Sequence, residues 1–157
     1  MSALNANYGL LTDDQFSRLS WKQILREMVE GTLPHPPICQ TMNFRIVEVE
    51  DGRVLQEGQP KDEHQNPDGS IQGGWAFTML DCVSFCAATT ILPVGAGATT
   101  VSTQINFTRR ITPSSGIIYA EGLVSTQGRR IITCVAKLAL SDGKIVAHGT
   151  STVMILN

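Results

Sequence analysis

One carboxylate stands alone in the middle of this chain. Between Asp68 and Arg109, Asp81 is the only acidic or basic residue. It sits within Gln72-Gly73-Gly74-Trp75-Ala76-Phe77-Thr78-Met79-Leu80-Asp81-Cys82-Val83-Ser84-Phe85-Cys86-Ala87-Ala88, which is apolar nearly all round when wound as a helix. Such a pattern belongs to a buried central helix. A carboxylate there must be desolvated, paired with a donor or put to chemical use. The stretch before the helix, Asn66-Pro67-Asp68-Gly69-Ser70-Ile71-Gln72-Gly73-Gly74, supplies a complementary group. Two glycines at a helix start let a ligand approach the backbone, and the first-turn N–H groups have no intrahelical acceptor. With the helix dipole behind them, these amides can hold a carbonyl oxygen that turns negative in a transition state. A Gly-Gly pair also suits a helix start that merely needs unusual dihedrals.

The spacing sets a constraint. Asp81 is eight residues beyond Gly73, so it lies about 12 Å farther along the same helix. No side chain spans that distance. If both groups serve one substrate, two copies of the helix must run side by side and antiparallel, in a symmetric dimer with two shared sites.

Other chemistries find little support. There is no Gly-x-Ser-x-Gly elbow, His-Glu-x-x-His helix or phosphate-binding loop, and Gly95-Ala96-Gly97 has neither the spacing nor the context of one. His35, His64 and His148 are far apart, without metal-ligand spacing. His148 reads as a structural residue of an apolar strand and His64 as a polar surface group. Cys39, Cys82, Cys86 and Cys134 form no Cys-x-x-Cys pair, and Cys82 and Cys86 read as packed thiols on one helical face.

The elements that would position Asp81 can be read from periodicity and turns. Thr12-Asp13-Asp14-Gln15 has capping-box spacing. Ser20 precedes an amphipathic stripe of Trp21, Ile24, Leu25 and Met28 that stops at Gly31. Pro34, Pro36 and Pro37 predict an extended linker. Phe44 to Glu50 and Arg53 to Glu57 alternate around Asp51-Gly52, a hairpin signal. After the central helix come strands over Thr99 to Arg109, Ile117 to Thr126, Arg130 to Leu140 and Lys144 to Leu156, with turns at Gln127-Gly128 and Asp142-Gly143. In the first of these, Val101, Ile105 and Phe107 predict an apolar face, and Thr100, Ser102, Gln104 and Asn106 a polar row. Short turns argue for antiparallel pairing, and one long apolar helix with one sheet argues for a sheet wrapped around that helix.

At 157 residues, 42% hydrophobic and 17% charged, the chain suits one soluble domain with a real core. A net charge of −2 gives no reason to expect nucleic acid or an anionic membrane as partner. The start, Met1 to Asn7, lacks the order of an export signal, and the apolar run from Gly74 to Val94 reads as a core helix and turn, so a cytoplasmic location is expected.

From about Gly31 onward the chain resembles the hotdog-fold acyl-CoA thioesterases of the phenylacetic-acid-degradation type. Their signature, Asn-x-x-Gly-x-x-His-Gly-Gly with an Asp on the following helix, is matched by Asn66, Gly69, Gln72, Gly73, Gly74 and Asp81. Pro36-Pro37, Ile105-Asn106-Phe107-Thr108-Arg109, Gly128-Arg129 and Asp142-Gly143-Lys144-Ile145-Val146-Ala147 match as well. The resemblance implies an α+β hotdog fold, with an antiparallel sheet of about six strands around a long central helix. It implies an N-terminal helical extension and Pro-rich linker over 1–37 and a thioesterase domain over 38–157. It further implies hydrolysis of an acyl-CoA to a carboxylic acid and free coenzyme A, without metal or other cofactor, by a homodimer that assembles to a homotetramer.

In that family pattern Asp81 is nucleophile or general base, and the Gly73 N–H of the facing copy stabilises the oxyanion. Asn66 helps place the carbonyl or the water, and Ser102 corresponds to a water-positioning hydroxyl. Gln72 replaces the usual His, donating hydrogen bonds without titrating. Gly74 lines the same turn. Arg109, Arg110, Arg129 and Arg130 are the guanidinium groups available for the coenzyme A phosphates. A non-catalytic acyl-CoA-binding module and a hotdog dehydratase are the alternatives, the second disfavoured by Gln72.

Overall fold

The computed structural model describes residues 6–156; Asn157 and residues 1–5, part of the stretch read for an export signal, lie outside the described residues. Both capping boxes form. The Thr12 hydroxyl accepts from Gln15 N–H and the Gln15 side chain takes the Thr12 N–H, opening α1 (Asp13–Arg18). Ser20 and Gln23 do the same for α2 (Trp21–Glu30), which ends at Gly31 with φ of 82°. That left-handed stop favours glycine. Ile24, Leu25 and Met28, the predicted stripe, are buried.

The proline segment is not simply an extended linker. Pro37 opens a short helix, α3 (Pro37–Met42), after the extended Pro36. A proline at the first helical position gives up an N–H that would have no partner there anyway.

Six strands follow: β1 (Phe44–Glu50), β2 (Arg53–Gly58), β3 (Gly97–Phe107), β4 (Ile118–Gln127), β5 (Ile131–Leu140) and β6 (Ile145–Leu156). They form one sheet in the order β1-β2-β4-β5-β6-β3, antiparallel at every pairing. The central helix α4 (Gly73–Thr89) lies on its inner face and buries Trp75, Ala76, Met79, Leu80, Val83 and Ala87. Val54, Ile118, Ala120 and Leu138 meet them from the strands. This is the hotdog arrangement, carrying the extra N-terminal helical segment. Among the described residues no helix is long and apolar enough to cross a membrane.

Gly122 on β4 sets how closely α4 lies on the sheet. A Cβ there would stand 2.5 Å from the Val83 carbonyl oxygen, which is backbone and cannot rotate away. Gly122→Ala must therefore lift the helix or bend the strand, a cost of about 1–3 kcal/mol. The urea midpoint should fall accordingly; an unchanged midpoint would mean that the helix has slack at this contact.

The structure corrects the reading of β3 at its start, where Thr100 leaves the polar row and lies with Ala98 on the inner side. A register shift between Thr100 and Ser102 interrupts the alternation. Beyond it, Thr103 and Ile105 face α4, while Gln104 and Asn106 line a recess on the outer face of the sheet, with Glu121 and His148. Ser102 shares the outer parity. A single extra residue reverses every side chain that follows it. His148 is exposed on that outer face, not satisfied in the core.

Candidate active site

The turn before α4 is built by its own side chains. Asp68 accepts from the Ser70 amide at 3.0 Å and the Ser70 hydroxyl at 2.6 Å. These bonds hold the Asp68 carboxyl below its ordinary range, with a smaller contribution from Arg110. Asn66 Nδ2 donates to Ser70 Oγ at 3.1 Å, and Gly69, with φ of 77°, closes the turn through its N–H to the Asn66 carbonyl at 2.9 Å. The Asn66 amide is thus turned into the loop. Arg110 Nη2 donates to the Asp68 carbonyl at 2.7 Å and ties the turn to the segment after β3.

Gln72 is the N-cap of α4. Its Oε1 accepts from the Gly74 N–H, and its carbonyl accepts from the Trp75 N–H at 3.0 Å. The Gly73 amide is the first of the helix and has no intrahelical acceptor. Gln72, Gly73, Arg109 and Arg110 line one recess of about 440 Å³, together with Phe107, whose ring lies over Gly73. The NH₂ end of the Gln72 amide has donors to offer there. The other arginine pair is elsewhere. Phe107 pairs with Ala147 at one end of the sheet, whereas Ile131, just after Arg129 and Arg130, pairs with Met154 at the other.

Asp81 is half-buried on the side of α4 that meets the edge strand β3. The structure therefore revises the expectation of a helix covered on all sides: Phe77, Thr78, Asp81 and Cys82 form a stripe that the described chain covers only in part. Thr103 Oγ1 donates to Asp81 Oδ1 at 3.0 Å and lies 3.0 Å from Ser151 Oγ. A hydroxyl has one proton, so Ser151, buried to 1% exposure, donates to Thr103 in turn. This relay fixes one carboxylate oxygen, Oδ1, of Asp81. Thr103 shares the inward parity of Ile105 but is an ordinary strand residue, and nothing in the sequence pairs it with Asp81. Ser102, the hydroxyl chosen instead, is on the opposite face.

Behind Asp81 lies a mostly apolar cavity of about 480 Å³ between α2 and α4. The thiols in its wall do not compete as nucleophiles. Burial pushes Cys82 up to about 12, with the Asp81 charge adding to it, and burial likewise holds Cys86 well above the ordinary thiol range. Both stay protonated near neutrality. Among the described residues no cluster of His, Cys, Asp and Glu could hold a metal ion. His64 is also committed: Nδ1 accepts from the Lys61 N–H at 3.1 Å, and Nε2 meets the Thr41 carbonyl at 3.0 Å.

Comparison with known proteins bears on this geometry. Residues 68–147 match the model of the thioesterase superfamily. Human acyl-coenzyme A thioesterase 13 is 28% identical over 142 residues, covering 85% of this chain and 95% of that protein. A phenylacetic acid degradation-related protein from Ralstonia eutropha JMP134 superimposes with a TM-score of 0.75 at 29% identity, over 83% of this chain and 98% of that one. A phenylacetic acid degradation protein from Thermus thermophilus shares the fold, with a TM-score of 0.69 at 22% identity over 76% of this chain and 99% of its own.

Proposed function

The chain belongs to the thioesterase superfamily and is a thioester hydrolase, and from that premise we propose that it hydrolyses acyl-CoA thioesters with Asp81 as the reacting carboxylate. The observation that carries this reading is the position of Asp81. It is held by Thr103 at 3.0 Å, lies at the mouth of an acyl-sized cavity and is the only ionisable side chain of α4 that could carry a carboxylate reaction.

Asp81 either adds to the thioester carbonyl carbon or takes a proton from the water that does so. In both routes the C–S bond breaks and the coenzyme A sulfur leaves as a thiolate; in the first the acyl group is left on Asp81 as a mixed anhydride, whose C–O bond water then cleaves to restore the carboxylate. A water proton then reaches that sulfur, and the acyl group departs as a carboxylate. Negative charge on the carbonyl oxygen is met by the Gly73 N–H at the positive end of α4.

Because that amide is about 12 Å from Asp81 along one helix, the oxyanion donor comes from a second copy. β3 is the strand that supports such pairing. It is an edge of the sheet, and among the described residues no strand pairs with its outer side. Two β3 edges joined antiparallel about a two-fold axis set the Gly73 end of one copy beside the Asp81 region of the other. The same pairing carries Arg109 and Arg110 toward the partner copy's other sheet end, where its own Arg129 and Arg130 lie. Four guanidinium groups then flank one route for the coenzyme A phosphates.

Gln72 takes a positioning role here, since its oxygen caps α4 without an imidazole. The absence of a free imidazole at this turn, with His64 bonded through both ring nitrogens, favours hydrolysis over dehydration. Thiol release should be seen with acyl-CoA substrates and no added metal. Binding of acyl-CoA without thiol release over aromatic, short, medium and long acyl groups would instead identify a non-catalytic module.

A further inference from the structure

We propose that the cavity behind Asp81 holds the acyl group and that Gln56, in its wall, selects acyl chains carrying a hydroxyl away from the thioester. This inference rests on the acyl-CoA reading above and adds a substrate class to it. The cavity falls in the size range of small-molecule sites. Asp81 and Gln56 both line it, with a mostly apolar remainder that includes Leu25 and Met28 from α2, Cys82 and Cys86 from α4 and, from β3, the hydroxyl residues Thr99 and Thr100. An alkyl chain fits such a lining.

Gln56 is set apart by a buried acceptor with no partner. It lies on the inward face of β2 between Val54 and Gly58, is 1% exposed, and its Oε1 has no hydrogen-bond partner. Buried polar atoms are nearly always paired, so an orphan acceptor in a cavity wall asks for a donor from whatever fills the cavity. A hydroxyl on the acyl chain supplies one. Without it the chain buries an unpaired carbonyl oxygen and binds less well.

The α2 helix makes this site possible, because Trp21, Leu25 and Met28 close the side of the cavity that the sheet and α4 leave open. Trp21 is anchored across it, with Nε1 donating to the Ala96 carbonyl at 3.0 Å and its ring meeting Phe85 edge-on at 5.7 Å. The N-terminal helices are then part of the specificity apparatus and not an appendage.

The test compares hexanoyl-, octanoyl- and decanoyl-CoA with their ω-hydroxy counterparts on the parent protein and on Gln56→Leu. Gln56→Met serves as a second variant of similar volume, so that one failure to fold does not remove the test. For at least one chain length the parent should hydrolyse the hydroxy member with a kcat/KM roughly tenfold above its plain partner. In either variant the ratio of kcat/KM between the hydroxy member and its plain partner should fall to about one. Equal rates for both members at every length, or a preference that survives in the variants, would overturn the assignment of Gln56. If the parent releases thiol from none of them or from any other acyl-CoA, the acyl-CoA reading itself fails, which is a different outcome.

Discussion

Asp81→Asn should reduce kcat by a factor on the order of 10³ or more while the protein remains folded and keeps its assembly state. The reason is specific to the geometry. Asparagine keeps an oxygen that can accept the Thr103 proton, so the Ser151–Thr103 relay and the packing of α4 survive. What disappears is the anionic oxygen that adds to the carbonyl or takes the water proton. Steady-state thiol release together with an unfolding curve separates the two effects. Thr103→Val should show a milder loss, in kcat more than KM, because it frees the carboxylate without removing it. Near-parental turnover in Asp81→Asn would remove the reacting carboxylate from the account.

Gly73→Pro should cost about 10²–10³ in kcat, with little loss of stability. Proline lacks the one atom proposed to matter there, the amide hydrogen. Gly73 is the first residue of α4, where proline is well tolerated, and Gln72 before it is already extended with ψ of 133°. A Cβ at this position would meet the tip of the Phe107 ring at 3.0 Å, and that side chain is itself exposed and free to shift. A comparable loss of kcat in both variants, without unfolding in either, assigns the two ends of the reaction to two different points of one helix. Unchanged turnover in Gly73→Pro would move the oxyanion donor elsewhere.

The fold was legible where local chemistry and global architecture agree. Thr12, Ser20 and Gly31 bound α1 and α2 because caps are decided within one turn of chain. Asp51-Gly52 and Asp142-Gly143 mark hairpins for the same reason, and both glycines adopt positive φ. α4 was visible from its unbroken apolar run. Three features were not. Pro37 reads as a helix breaker unless one knows that it is the first residue of a helix. The register shift at Val101 has no sequence signal, so Thr100, read with the polar row of Ser102, Gln104 and Asn106, instead lines the inner cavity. The placement of β3 at the sheet edge depends on a connection that passes along the whole of α4, which spacing alone does not decide.

The candidate site divides in the same way. Gln72, Gly73 and Asp81 stand out because a lone charge and a glycine pair are rare in an apolar run. Gln72's part in capping α4 also accounts physically for a residue that cannot titrate at that position. Thr103 and Gln56 escaped notice because each is an ordinary strand residue, and only burial reveals what it faces.

The central claim is that Asp81 and the Gly73 amide of one site belong to different copies of the chain. Mixing Asp81→Asn with Gly73→Pro tests it directly. Each variant alone has no intact site. After subunit exchange at equal concentrations, half of the dimers are mixed, and each mixed dimer carries one site with both native groups. Thiol release should then rise to about one quarter of the parental rate. Activity that stays at the level of the separate variants, despite demonstrated exchange of subunits, would contradict a site shared between two copies.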